Sequence, residues 1–204
     1  PEARACHAIV FLGLAGQEAG GALADVLTAK VMPSGHLSFT WPENAEAFDE
    51  ACAAVDQFTG YRYFDSFGTP VRYPFGYGLS YTTFEYSDLK ADEDKISIND
   101  ILSGKSFRIS VRVKNTGDRE GKETSQCYIH DCVAQITRPI RELKGFVKEN
   151  YKPGEEKTVT FELSEKELGY WNTEKKYVVE PGKFKIFVGG DCLTKDEITV
   201  EITK

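Results

Sequence analysis

From Thr82 onward apolar and polar residues alternate with a period of two, and this pattern restricts the fold more than any other feature of the chain. Phe107, Ile109, Val111 and Val113 are separated by Arg108, Ser110 and Arg112. Val159, Phe161 and Leu163 repeat the pattern, as do Phe184, Ile186 and Val188, then Ile198, Val200 and Ile202. Side chains of a strand point alternately to its two faces, so each run packs one face and wets the other. Asn115-Thr116-Gly117-Asp118, Lys152-Pro153-Gly154-Glu155 and Glu180-Pro181-Gly182 supply turns between runs. Further strands fit Phe84–Leu89, Thr124–Ile129, Arg141–Phe146 and Lys176–Val179, and the charged run Ala91–Lys95 reads as a solvated turn. Seven or eight short strands in this order predict a sandwich of two antiparallel sheets.

The first part of the chain has a different period. Ala8–Leu14 is a continuous apolar run, the mark of a strand buried on both faces. Ala19, Ala22, Leu23, Val26 and Leu27 fall at helical spacing and predict a helix over Ala19–Lys30. Pro33-Ser34-Gly35 stops it, and His36–Trp41 reads as a short strand closed by Pro42. A single strand–helix–strand unit cannot bury both faces of a sheet. Sequence on its N-terminal side, or another chain, is expected to complete it. Pro42–Asp56 is acidic and alanine-rich, a short helix or a loop. Gly60–Tyr81 is crowded with aromatic residues and glycine and has no regular period. A loop of that length is expected to be functional or wedged between domains.

Charge and cysteine usage narrow the class. A net charge of −7 argues against nucleic-acid and anionic-membrane partners. No apolar run is long enough to span a bilayer, and the start lacks a convincing signal peptide. Five cysteines at irregular spacing do not read as a disulfide framework, so a reducing, cytoplasmic setting is expected. Cys127, His130 and Cys132 are too few and too poorly spaced for a zinc site, and no metal or other cofactor is expected. Asn115-Thr116-Gly117 is a turn, not a glycosylation site.

Four segments resemble motifs of family 3 glycoside hydrolases of the β-glucosidase type. Gly16-Gln17-Glu18-Ala19-Gly20-Gly21-Ala22-Leu23-Ala24-Asp25-Val26-Leu27 resembles that family's GQEGGxALADVL segment, and Pro33-Ser34-Gly35-His36-Leu37 its PSGKL, with His36 where lysine is common. Gly60-Tyr61-Arg62-Tyr63-Phe64-Asp65 is similar to GYRYFD, and Tyr73–Phe84 to YPFGYGLSYTTF. Downstream, Val113–Gly117, Gly121-Lys122-Glu123, Leu143–Phe146 and Pro153-Gly154-Glu155 resemble segments of the fibronectin type III-like domain in those enzymes. The resemblance covers almost the whole chain. It implies a mainly β fold: an immunoglobulin/fibronectin III-like β-sandwich over residues 83–204, preceded by an aromatic interdomain linker over 57–82 and by a remnant of an α/β sandwich domain over 1–56. It also implies a parent that hydrolyses β-glycosides with retention, using an Asp nucleophile and a Glu acid/base about 5–5.5 Å apart. Neither family motif can be placed here, so no catalytic residue is assigned. The implied partners are the N-terminal catalytic domains of the same enzyme and, through them, a β-glycoside substrate. The alternative reading is a carbohydrate-binding or self-associating β-sandwich module, with self-association through the surface that the incomplete α/β unit leaves bare.

Five residues stand out as lining a substrate pocket or an interdomain contact: Glu18, Tyr61, Arg62, Tyr63 and Asp65. Glu18 sits where a helix N-terminus could face a cleft, and equally where its charge simply suits the helix dipole. Arg62 and Asp65 could pair, either beside a substrate or inside a domain junction. Tyr61 and Tyr63, like Phe64 and Tyr77, could stack on sugar rings or pack between domains. Trp41 reads as core, and Trp171 as exposed on a loop, with stacking on a sugar ring as its alternative role.

Overall fold

The structure, a computed structural model, describes residues 6–53 and 57–204. The side chain of Cys52 and the end of the Pro42–Asp56 segment lie outside the described residues. The fold is mainly β. Its elements begin with α1 (Ala19–Leu27), β1 (Trp41–Pro42), α2 (Ala45–Ala53), α3 (Tyr61–Ser66) and β2 (Val71–Tyr73). The sandwich follows: β3 (Phe84–Ala91), β4 (Lys95–Ser97), α4 (Ile98–Leu102), β5 (Phe107–Asn115), β6 (Gly121–Asp131), β7 (Glu142–Tyr151) and β8 (Glu156–Leu163). It continues through α5 (Glu165–Leu168), β9 (Tyr170–Trp171), β10 (Tyr177–Val178), β11 (Gly182–Gly189) and β12 (Glu197–Thr203).

One sheet has the order β4-β12-β11-β6-β7 and the other β3-β5-β8. Facing apolar positions set the register: Ile109 opposes Phe161, and Phe184 opposes Val200. The predicted inward residues of β5, β8, β11 and β12 lie in one core cluster, with only Ile198 half-buried at its margin. One pairing departs from the antiparallel expectation. β4 runs parallel to β12, seating Ile96 beside Ile202 at the sheet edge. The acidic turn before β4 is tied back when Arg108 N donates to Asp92 Oδ1 at 2.8 Å.

The N-terminal part corrects several expectations. Ala8–Leu14 forms no strand among the described residues. Its apolar side chains keep much of their surface in water, Leu14 all of it, and Phe11 meets the rings of Phe39 and Trp41. A strand exists only when a neighbour takes its backbone hydrogen bonds, and the described chain brings none beside it. His36–Trp41 is not a strand either, apart from Trp41 at the start of β1, which pairs with β2; of its other residues Leu37 alone exchanges backbone hydrogen bonds, with Gly76 and Tyr77, and one such residue makes no ladder. The helix stops at Leu27 because Ala29 turns to φ 56°. The Gly60–Tyr81 segment is not a structureless loop: it contains α3 and β2. Apolar contact rather than periodicity sets α3, whose Phe64 is buried against Ala47 and Ala51 of α2.

Candidate functional site

The outer face of the five-stranded sheet should be wet by the alternation rule, but two of its strands break that rule. In β6, Gln126, Cys127, Tyr128 and Ile129 are all buried, and in β11 Phe187 is buried between inward-facing Ile186 and Val188. Cys127 and Ile129 face the core. Tyr128 and Phe187 face the opposite way, into a second cluster with Cys192, packed by Tyr61, Phe75 and Leu143. The aromatic segment therefore docks on this face, and the tyrosines of the sheet and the segment meet there. Tyr61 stacks on Phe75 at 4.7 Å and meets Tyr128 edge-on at 6.0 Å.

Hydrogen bonds fix the dock at separate points. Tyr61 Oη accepts from the Leu143 N–H at 2.8 Å. Gln126 Nε2 donates to the carbonyls of Gly76 and Gly190, and Tyr128 Oη donates to Gln126 Oε1 at 2.6 Å. Cys192 N–H donates to Phe75 O at 3.0 Å. Gly76 has φ 83°, and a Cβ there would lie 2.2 Å from Gln126 Oε1, so two demands select glycine. On the other side the segment holds the N-terminal part. Leu37 N donates to Tyr77 O at 2.9 Å, and Gly76 N donates to Leu37 O at 2.8 Å. A Cβ on Gly78 would lie 2.3 Å from Gly35 O. Lys148 Nζ reaches Ser34 O at 2.6 Å, and His36 Nε2 lies 3.9 Å from Glu123 Oε2.

Asp65 is the charged element of the junction, and its partner is not Arg62. Its Oδ2 lies 3.7 Å from Nε of Arg141, whose guanidinium covers the Phe187 ring at 4.3 Å and donates to Cys192 O. Arg62 lies instead 5.9 Å from the Tyr61 ring centre. A pair three residues apart belongs to a helix surface, whereas Asp65 is turned inward to the sandwich. Burial raises the Asp65 pKa, and the charges of Arg141 and His130 pull it back only in part. Burial first, with Asp191 and Asp65 adding to it, pushes the Cys192 thiol up to about 12. That thiol is neutral and unreactive at ordinary pH.

Beside this pair lies a cavity of about 310 Å³, lined by residues including Thr40, Tyr61, Phe64, Asp65 and Leu193. Of the five residues singled out above, Tyr61 and Asp65 reach it. Arg62 and Tyr63 are half-buried nearby on α3, and Tyr63 packs against Phe67 at 4.9 Å. Glu18 is exposed at the start of α1 and makes no side-chain cap there. The residues that sequence reasoning missed are Gln126, Tyr128, Arg141 and Phe187. Tyr128 and Phe187 carry a signal, in the consecutive apolar run Tyr128-Ile129 and in the place of Phe187 between two inward-facing residues, whereas Gln126 and Arg141 carry none.

A second buried ionic group supports the same sheet edge. Arg138 donates to Asp131 Oδ2 at 3.0 Å and to Glu142 Oε1 at 2.7 Å, and also reaches Leu168 O. Burial raises the Glu142 carboxyl, but Lys144 and Arg138 outweigh it and hold its pKa below the usual value. At Asp131 burial prevails over Arg138, and its pKa is raised. Among the described residues no three His, Cys, Asp or Glu side chains come together as a metal-binding set.

The architecture defines a fibronectin-like β-sandwich with a companion segment docked on one outer face. Comparison with known proteins makes the class specific. Residues 1–81 match the glycosyl hydrolase family 3 C-terminal domain, and residues 123–192 match the fibronectin type III-like domain. The chain belongs to glycoside hydrolase family 3, as the C-terminal part of such a protein. It is 43% identical to thermostable beta-glucosidase B of Acetivibrio thermocellus, with 93% of the chain and 26% of that protein aligned. It is 41% identical to a beta-glucosidase of Kluyveromyces marxianus, over 96% of the chain and 24% of that protein. Among solved structures, beta-glucosidase 3B of Thermotoga neapolitana, in complex with α-D-glucose, superposes with a TM-score of 0.80 at 37% identity, covering 92% of this chain and 27% of that one. The chain thus spans about a quarter of the length of these relatives.

Proposed function

We propose that this chain is the C-terminal support of a retaining β-glucosidase-type glycoside hydrolase and is not catalytic by itself. In this reading residues 1–56 belong to an α/β sandwich domain whose remainder lies upstream in the parent. Residues 57–82 are the interdomain segment, and residues 83–204 are the buttressing sandwich. The nucleophile and the acid/base belong to the parent's N-terminal domains, which are the chain's main partners.

The observation that carries this reading is the two-sided grip of the aromatic segment. Gly76 and Phe75 bind the sandwich through Gln126 and Cys192, while Gly76 and Tyr77 bind Leu37 of the N-terminal part. Asp65 is the one carboxylate among the described residues that line the cavity, whereas retaining hydrolysis needs two, one to attack and one to protonate. The uncovered apolar run at Ile9–Leu14 gives upstream sequence a surface to pack on. Assay with p-nitrophenyl β-glucoside tests the reading. The chain alone should release no p-nitrophenol, while the full-length gene product should turn the substrate over. Clear turnover by the chain alone, or none by the full-length product, overturns it.

A further inference from the structure

β9 and β10 form a two-stranded ribbon that the junction does not use. Trp171 and Tyr177 are cross-strand partners in it, with ring centres 5.5 Å apart and planes at 67°. Trp171 is 65% exposed although it is a large apolar side chain on an ordered element. The ribbon beneath it is fixed from several directions. Tyr177 Oη donates to Lys166 O at 2.6 Å. Asn172 Oδ1 accepts from the Glu174 and Lys176 N–H groups, each at 3.0 Å, and so shapes the connecting turn. Tyr170, next to Trp171, donates to Glu180 Oε2 at 2.6 Å and lies under the Arg138 guanidinium at 5.0 Å. A Cβ on Gly169 would lie 2.4 Å from the Tyr177 ring, so Tyr177 closes tightly on the end of α5.

An indole left in water contributes little to folding. Held rigid, it offers a large contact face at small entropic cost on binding. The size of the feature selects the occupant. A stable protein partner needs on the order of 1,000 Å² of complementary surface, and here two rings stand beside a charged turn with Glu174, Lys175 and Lys176. A β-linked glucose unit fits better. Its hydroxyls are all equatorial, so each face is a plate of C–H groups matched in size to an indole. Those C–H groups carry the partial positive charge that the negative aromatic face attracts. The hydroxyls radiate at the rim, where the polar side chains of the turn stand.

We propose that the Trp171–Tyr177 ribbon is a carbohydrate-binding platform that takes the apolar face of one glucose unit of a β-linked oligosaccharide. The choice of glucose rests on the reading above, but stacking on a pyranose rests on the ribbon alone. The chain has two tryptophans, Trp41 and Trp171, so two indole N–H resonances report the outcome. Titration of the 204-residue chain with cellotetraose should move the Trp171 resonance saturably and leave that of Trp41 in place. Trp171→Ala, on an exposed ribbon, should keep the circular dichroism of the sandwich and weaken binding by at least about tenfold. The α-linked maltotetraose should bind more weakly than cellotetraose. A Trp171 resonance that does not move, undiminished binding by Trp171→Ala, or equal binding of both sugars overturns the proposal. The titration registers no hydrolysis, so it stands or fails separately from the p-nitrophenol assay.

Discussion

Asn115 carries more of the structure than its place in a turn motif suggests. Its side chain is completely buried and satisfied on both atoms. Nδ2 donates to Arg119 O at 2.7 Å and Tyr151 O at 3.1 Å, while Oδ1 accepts from Thr82 Oγ1 at 2.6 Å and from Gly117 N at 3.1 Å. Asn115→Ala strands several buried polar groups at once, and the chain should lose about 3 kcal/mol in urea unfolding. Asp65 and Glu142 give opposite pH signatures. Asp65 has a raised folded pKa, so the folded chain holds its proton longer than the unfolded chain. Its contribution to stability therefore falls as pH rises from the unfolded carboxylate value through that raised value. Glu142 has a lowered folded pKa, so its contribution is present above the unfolded value and is lost as pH falls through the folded one. Urea midpoints between pH 4 and pH 7 should show the wild type losing ground to Asp65→Asn as pH rises. They should show the wild type gaining on Glu142→Gln over the lower part of the range.

At the scale of elements, the glycines of the aromatic segment are its least replaceable parts. The Cβ of Gly78→Ala would meet the Gly35 carbonyl, a backbone atom that cannot swing aside. Overpacking of this kind costs about 1–3 kcal/mol. The variant should melt earlier and be cut sooner by protease between Pro33 and Tyr81, with β5 and β8 still protected. Strands were the legible elements, because alternation records which face of a sheet is buried. Phe107–Val113 and Val159–Leu163 needed nothing else. The short helices α3, α4 and α5 have no period to show and are not legible, and for the α2 region the sequence leaves helix and loop equally open. Yet α5 carries a readable capping box, in which the Ser164 N–H donates to the Glu167 carboxylate while Ser164 Oγ accepts from backbone N–H of the first turn. Ala8–Leu14 was misread because an apolar run records the need for a partner, not its presence. The Asp65–Arg141 pair spans 76 residues, and no local spacing encodes it.

For the whole molecule, the sandwich has a closed core, whereas the N-terminal part leaves apolar side chains uncovered. Phe11 meets Phe39 and Trp41 edge-on at 5.5 and 5.7 Å, but Leu12, Leu14, Leu27 and Val31 keep much of their surface in water. Replacing Leu12 and Leu14 with Ser should reduce dye binding to hydrophobic surface and self-association of the isolated chain, with the thermal midpoint of the sandwich unchanged. Between these parts lies the central claim: the aromatic segment grips both and makes one unit of them. Hydrogen exchange measures that grip directly. The amides of Leu37, Gly76, Leu143 and Cys192 all donate across the junction. They should exchange slowly and together, far more slowly than the uncovered Ile9–Leu14 amides. Exchange of these four amides at the unprotected rate, with β5 and β11 still protected, would contradict the account.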